Sequence, residues 1–371
     1  MPTDSRPFNF SAGPSAMPLA VLEQIENDLL SWQGQGLSVM EMSHRSDEFM
    51  QICQQAEQDF RCLLTIPEHF KILFMQGGGT GANAAIPLNL SQSGVVDMLI
   101  TGHWSAHSKL EAEKYAKVHT VFSGAQDNYR SIAPIEQWRF SQNAAYVQLC
   151  SNETVHGVAF STLPDLAALG LNAPLVVDCS SDIASRAIDW SLVGVAFAGV
   201  QKNLGPAGLT VIVVREDLLG RALPICPSIF NFELLAQHHS MYNTPPTWSI
   251  YVAGLVFQWS LAQRDGDLTA LAAIEARNQR KASLLYSAIE QSELYYSQVD
   301  KAVRSKMNVP FFLHNPALTT TFLQQAKQQG LIQLAGHKAL GGVRASLYNA
   351  MPEAGVQQLV SFMQQFERSH A

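Results

Sequence analysis

The chain has 371 residues, 47% of them hydrophobic and 15% charged, with a mean hydropathy of +0.02, so it carries apolar surface for a large or two-lobed core and too little charge for extended disorder. Its 24 Lys and Arg against 31 Asp and Glu leave a formal charge of −7, with no basic run able to track a phosphate backbone, which argues against nucleic acid as a partner. The longest uncharged apolar run, 192–200, is far short of the ~20 residues a membrane helix needs, the opening MPTDSRPFNF has no apolar signal core, and five scattered cysteines form neither a disulfide framework nor a zinc spacing, so a metal-free protein of the reducing cytoplasm is expected.

Residues 1–17 contain the turn-like Ser11-Ala12-Gly13-Pro14 and read as an extended arm. Pro18 suits a first helical turn, Leu22, Ile25 and Leu29 recur at helical spacing, and Gly34 and Gly36 supply a stop. A second helix is predicted after Ser46, an N-cap residue followed by Asp47 and Glu48, with Phe49, Ile52, Cys53, Ala56, Phe60 and Leu63 as its buried stripe. Short apolar runs then alternate with helical stretches, at 70–75, 95–100, 144–150, 173–178, 193–200 and 209–214. Such runs read as strands buried on both faces, the pattern of a mainly parallel sheet covered by helices. Asp267 to Ile289 reads as one long helix, with Leu268, Leu271, Ile274, Ala282, Leu285 and Ile289 near one face, bridging to a second lobe. That α+β lobe has a strand over Met307 to Leu313, a helix ending at Gly330 and a strand over Val343 to Tyr348. It closes with a helix whose stripe is Val356, Leu359, Val360, Met363 and Phe366.

Three features carry chemistry. Gly77-Gly78-Gly79-Thr80-Gly81 follows one strand and opens a helix, so its backbone N–H groups and the helix N-terminus form a cradle for an anion. The spacing Gly77-x-Gly79-x-x-Ala82 also fits a loose dinucleotide fingerprint, although no acidic residue closes the next strand, Asp97 lying inside it. Lys202 ends a wholly apolar strand; desolvation lowers the basicity of such an amine and makes it nucleophilic toward a carbonyl, as a Schiff-base lysine must be. Asp178 closes the preceding strand, so both side chains can project from one sheet edge, where ligands of such sheets bind. An aspartate there suits a pyridinium nitrogen, the electron sink of pyridoxal 5′-phosphate. Taken singly, each feature also has a plain structural reading as a turn, a solvated lysine or a helix cap.

At this point the chain resembles the phosphoserine aminotransferase family, pyridoxal-phosphate-dependent transaminases of fold type I and class V. The matching segments run nearly end to end: 9–14, 39–45, 77–81, 102–104, 151–154, 178–181, 198–208, 243–247, 307–311 and 342–349. The resemblance implies a large domain over 18–262 with a mainly parallel seven-stranded sheet flanked by helices, a smaller α+β C-terminal domain over 263–371, and the arm 1–17 packing with the latter. It implies Lys202 as the Schiff-base and proton-shuttling lysine, Asp178 at the pyridine nitrogen, Trp104 stacked on the ring and Thr154 near its hydroxyl. Gly79, Thr80 and Gln201 would hold the phosphate, joined by Asn243 and Thr244 from the neighbouring subunit of a homodimer. Arg344 would take the substrate α-carboxylate, since a guanidinium fork matches it in two hydrogen bonds. His44 and Arg45 from the partner subunit, with His337 and Lys338, would form a cationic pocket for the distal group.

The implied reaction moves an amino group from L-glutamate to 3-phosphohydroxypyruvate, giving O-phospho-L-serine and 2-oxoglutarate, and the resemblance also admits the four-carbon phosphooxy keto acid of pyridoxine synthesis. Four departures from the usual pattern stand out: Ala12, Thr80, the dipeptide Ala82-Asn83, and Lys338 where arginine is usual. Lys338 matters most, because it keeps the charge and loses the bidentate geometry. A related aminotransferase with another acidic keto acid, a nicotinamide-dependent oxidoreductase built on the glycine loop, and a binding protein that has lost turnover remain as alternatives.

Overall fold

The structure is a computed structural model that describes residues 6–92 and 94–370; the first five residues of the expected arm, Ser93 and the last residue of the chain lie outside the described residues. In chain order the elements begin with β1 (Phe8–Asn9), α1 (Leu19–Asp28), α2 (Asp47–Leu64), β2 (Phe70–Gln76), α3 (Gly78–Leu90), β3 (Val95–Ile100), α4 (His103–Ala112) and β4 (Lys117–Ser123). Next come β5 (Ala144–Cys150), β6 (Leu175–Asp178), β7 (Val195–Gly199), β8 (Leu209–Arg215), α5 (Phe232–Gln237) and α6 (Thr247–Leu261). The chain continues through β9 (Arg264–Asp265), β10 (Leu268–Thr269), α7 (Ala270–Glu290), β11 (Tyr295–Tyr296) and β12 (Asn308–Leu313). It ends with α8 (Thr319–Gln328), β13 (Leu331–Ile332), β14 (Val343–Ser346) and α9 (Glu353–His370).

Seven strands form the main sheet in the order β2-β8-β7-β6-β5-β3-β4. Every pairing from β7 to β4 is parallel, and β8 alone runs against its two neighbours. Alternation along each strand divides its side chains between two apolar layers. Ala196, Ala198, Val211 and Val213 face the layer that holds α2 and α6, whereas Val195, Phe197, Ile212 and Val214 face the one that holds α3 and α5. Burial of a side chain such as Phe197, at 0% exposure, stabilises the sheet by about 2–3 kcal/mol. A third apolar cluster gathers α7, α8, α9 and the three-stranded sheet β11-β12-β14. Phe10 is buried in it, and β1 beside it pairs with β13.

The predicted strands and the second helix form where expected: Ser46 Oγ accepts from the Phe49 N–H (3.3 Å) to open α2, and all six stripe residues are buried. Four details differ. The first helix stops at Asp28, short of Gly34, because buried Asp28 takes the Tyr251 hydroxyl (2.5 Å) and the chain must turn to bury Trp32, leaving Leu29 exposed. The long helix starts at Ala270, since Leu268 lies exposed in a tight antiparallel pair closed by Gly266 at φ +57°. Strand β4 was not predicted; at the sheet edge only one of its seven residues is fully buried, so it has no apolar run to read. The connections β5–β6 and β6–β7 are loops and turns instead of helices, and their Phe160, Leu166, Ile183 and Trp190 pack into the apolar layer that holds α2 and α6.

Candidate active site

Because β6 and β7 are parallel neighbours, with Asp178 opposite Phe197, Asp178 at the end of one and Lys202 just past the end of the other reach the same sheet edge. The carboxyl end of β2 delivers the glycine loop, that of β3 delivers Trp104, and that of β5 leads into Thr154. Gly77 takes φ +106°, a backbone state that suits glycine, and so turns the chain from β2 directly into α3. The outcome is one cleft lined by Gly79, Thr80, Trp104, Thr154, Asp178, Gln201 and Lys202, together with Asn83, Cys150, Asn152, Ser180 and Ser181.

Lys202 Nζ donates to Thr154 Oγ1 (2.8 Å) and lies 5.5 Å from the centroid of the Trp104 ring. Burial pulls its basicity below the ordinary lysine value, and Asp178, Cys150 and Glu153 pull the other way. Asp178 Oδ1 accepts from the Ser180 N–H (3.0 Å) and hydroxyl (2.6 Å). Burial raises its carboxyl, opposed by Ser180 and by the Lys202 charge. Ser180 Oγ also accepts from the Gly199 N–H (3.0 Å), which ties the end of β6 to that of β7.

The first turn of α4 is capped entirely by the loop after β5. The N–H groups of Trp104 and Ser105 donate to Glu153 Oε2 (2.9 Å) and Oε1 (2.8 Å), Ser105 Oγ donates to Oε1 (2.6 Å), and the His103 N–H donates to His156 Nδ1 (3.2 Å). This fixes Trp104 over the cleft. Its indole N–H is buried without a partner among the described residues, as is Gln201 Oε1. Such orphans in a polar cleft mark groups awaiting a ligand.

Of the remaining candidates, Arg344 on β14 borders the cleft: Nη1 donates to the Thr154 carbonyl (3.4 Å), Nε is buried with no partner among the described residues, and burial lowers its basicity. The His337 ring stands 5.0 Å from that of His103, with Lys338 and Arg344 near enough to depress its basicity further, after burial. His44 and Arg45, in the turn before α2, are not among the lining residues, and neither are Asn243 and Thr244, which meet the end of β2 where Gln76 Nε2 donates to the Thr244 carbonyl (3.0 Å). Sequence reasoning singled out none of Glu153, Ser180 or the buried amide Asn308, although all three lie within or beside recognised segments. An acidic residue between apolar runs was the available signal for Glu153.

The family model described as aminotransferase class-V matches residues 7–359. The phosphoserine aminotransferase of Delftia acidovorans is 56% identical over 368 residues, covering 99% of this chain and 100% of its own. That of Bordetella avium is 51% identical over 379 residues, with 99% and 100% covered. Among solved structures, phosphoserine aminotransferase from Bacillus circulans subsp. alkalophilus superposes with a TM-score of 0.93 at 38% identity, covering 99% of both chains. The PLP-bound phosphoserine aminotransferase from Trichomonas vaginalis gives 0.90 at 37%, covering 97% of this chain and 100% of its own.

Proposed function

The chain belongs to the class-V aminotransferase family, and we propose that its substrates are L-glutamate and 3-phosphohydroxypyruvate, which it converts to 2-oxoglutarate and O-phospho-L-serine in two half-reactions. The observation that carries this reading is the pairing of Lys202 and Asp178 on neighbouring parallel strand ends in one cleft with Trp104. The cofactor is pyridoxal 5′-phosphate. The residues fit it: a buried acid for a ring nitrogen, an indole with a free N–H, an amine of lowered basicity, and the open N–H groups of the first turn of α3 for a phosphate. The family match, with Lys202 and Asp178 in the same cleft as the glycine loop, favours this cofactor over the dinucleotide reading of that loop.

When bound, the cofactor supplies a carbonyl for the substrate amine and an electron sink that makes the α-hydrogen acidic. The chain does the rest. Lys202, held at Thr154 Oγ1, would be the base that moves the substrate α-proton; burial lowers its basicity from the ordinary lysine value, which favours the neutral amine that role requires. Asp178, oriented by Ser180, would hold the ring nitrogen protonated, and Trp104, locked by Glu153, would cover the ring. Gly79, Thr80 and Gln201 would hold the cofactor phosphate. Arg344 would pair with the substrate α-carboxylate through its open guanidinium edge.

His337 and Lys338 would receive the distal anion, completed by His44 and Arg45 of a second copy, while Asn243 and Thr244 would reach across to that copy's cofactor phosphate. This makes the working unit a homodimer. Leu30 and Met40, on the segment before His44, and Ile225 and Tyr242, before Asn243, are exposed apolar side chains that such an interface would cover. We place the arm at 1–17, the large domain at 18–262 and the small domain at 263–371. Among the described residues no helix is long and apolar enough to cross a membrane, and a cytoplasmic location is part of the proposal. The test is a spectrum: the visible band of the purified holoenzyme should fade with glutamate and return with 3-phosphohydroxypyruvate, and Lys202→Ala should abolish both changes. A band that glutamate bleaches and the phosphorylated keto acid fails to restore would refute the proposed acceptor.

A further inference from the structure

We propose that His103 is a specificity residue for the distal phosphate of the keto acid, donating at the mouth of the cleft the additional hydrogen bond that Lys338, a point charge, does not supply. The inference rests on the reading of His337, Lys338 and Arg344 given above. His103 is the first residue of α4, and its ring packs edge-on against Trp104 (centroids 5.2 Å, 83°) and 5.0 Å from His337. It therefore stands between the indole of the cleft and the residues read as the distal pocket.

Its neighbours are already committed. His156 Nδ1 accepts the His103 backbone N–H, its ring lies against Tyr129 (4.6 Å), and burial pushes it down to about 4, so it stays neutral. His337 Nδ1 accepts from the Ala339 N–H (3.2 Å), which in the neutral ring places the proton on Nε2. Glu153, beneath the same turn, spends its carboxylate on Trp104 and Ser105. Neither ring nitrogen of His103 takes a hydrogen bond among the described residues. The groups facing it are His337, with Lys338 and Arg344 alongside, His107 one turn on, His156, Glu153 and Tyr129. Burial, then His337 and His107, keep its basicity below the ordinary histidine value in the free site. An arriving phosphate dianion reverses that balance and favours the charged ring. A phosphate offers three terminal oxygens and a glutamate side chain two, so one more donor favours the phosphorylated substrate over glutamate.

The test uses the holoenzyme carrying His103→Phe, which keeps a ring against Trp104 and removes both nitrogens, with His103→Gln as the variant that keeps a neutral donor. The expected result at about pH 6.5 is a roughly tenfold rise in KM for 3-phosphohydroxypyruvate with His103→Phe, partial recovery with His103→Gln, and a KM for glutamate within about twofold of the parent. The effect should shrink at about pH 8.5, where the parent ring is neutral, and calorimetry in two buffers should show proton uptake when O-phospho-L-serine binds the parent enzyme. Lys338→Ala, run in parallel, separates the failures. If it raises the KM for the phosphorylated acid and His103→Phe does not, the assignment of His103 is wrong and the pocket stands. If neither does, the pocket reading falls and takes this inference with it. Equal losses for both substrates would assign His103 to holding Trp104 and overturn the proposal.

Discussion

Asn308 is the sharpest point at which to perturb the seam between the main sheet and the C-terminal lobe. It has no exposed surface; its Oδ1 accepts from Asn152 Nδ2 (2.8 Å) in the loop after β5, and its Nδ2 donates to Ser346 Oγ (3.0 Å) and Tyr348 Oη (3.2 Å). Tyr348 in turn donates to the Ala12 carbonyl of the arm (2.8 Å). In Asn308→Ala, Asn152 keeps its bond to Ser181 Oγ (2.7 Å) and loses the other. The orphaned buried N–H costs about 1–3 kcal/mol, and the lost donors and small cavity add about 1, so about 3 kcal/mol is expected overall. Spread over a chain of 371 residues, with an unfolding entropy of about 2.1 cal/mol/K per residue, that lowers the holoenzyme melting temperature by about 4 °C. Register ties the same change to function: Asn308 pairs with Ser346, and Pro310 with Arg344. Loosening this strand pair should raise the KM for glutamate by about threefold to tenfold, a cost of about 1 kcal/mol at the Arg344 contact. Calorimetric melting and steady-state kinetics read the two effects, and adding Asn152→Ala should cost less than the sum of the separate losses by about 1 kcal/mol. A melting shift under about 1 °C with an unchanged KM would refute the seam argument, because a buried donor would then have been orphaned without cost.

Two further outcomes follow from the same geometry. A Cβ on Gly102 would stand 2.4 Å from Glu153 Cδ, so Gly102→Ala should push the carboxylate off the first turn of α4, cost about 1–3 kcal/mol and weaken cofactor retention through Trp104; full absorbance after gel filtration of the variant would contradict this. Lys281 is fully buried on α7, donates to the carbonyls of Leu347, Tyr348 and Met351 (2.8, 2.8 and 3.0 Å), and is taken by burial from 10.5 to about 7. Between those values the unfolded chain binds the extra proton, so stability should rise with pH across that window by up to a few kcal/mol, and Lys281→Met should flatten the rise in denaturant midpoints measured from about pH 7 to 10. Retention of the full rise in Lys281→Met would assign it to other groups.

What the sequence makes legible follows from where the information sits along the chain. Strands β2, β3 and β5 to β8 are buried on both faces, so each announces itself as an apolar run, whereas edge strand β4 pays no such compositional toll and passes unseen. The boundaries of the first and long helices fail for a related reason: Asp28 and Trp32 are set by Tyr251 and the main core, and Leu268 by a local hairpin, none of which is visible in periodicity. Within the site, the residues read from sequence are those whose chemistry is unusual for their position, a lysine and an aspartate ending apolar strands and a glycine run between strand and helix. The residues missed are those that act through another. Glu153 meets Ser105 across 48 positions, Asn152 meets Asn308 across 156, and Tyr348 meets Ala12 across 336. A polar side chain whose partner lies so far off leaves no local pattern, because its identity is dictated by an unsatisfied group that only the folded chain brings near. The same reasoning applies to His103: within its own turn of helix it is an ordinary first-turn residue, and the role proposed for it depends on β14 and the loop before it carrying His337, Lys338 and Arg344 to the end of β3. On the proposed reading, specificity would reside in such juxtapositions between the main sheet and the C-terminal lobe, while the cofactor chemistry would reside in the strand ends of the main sheet.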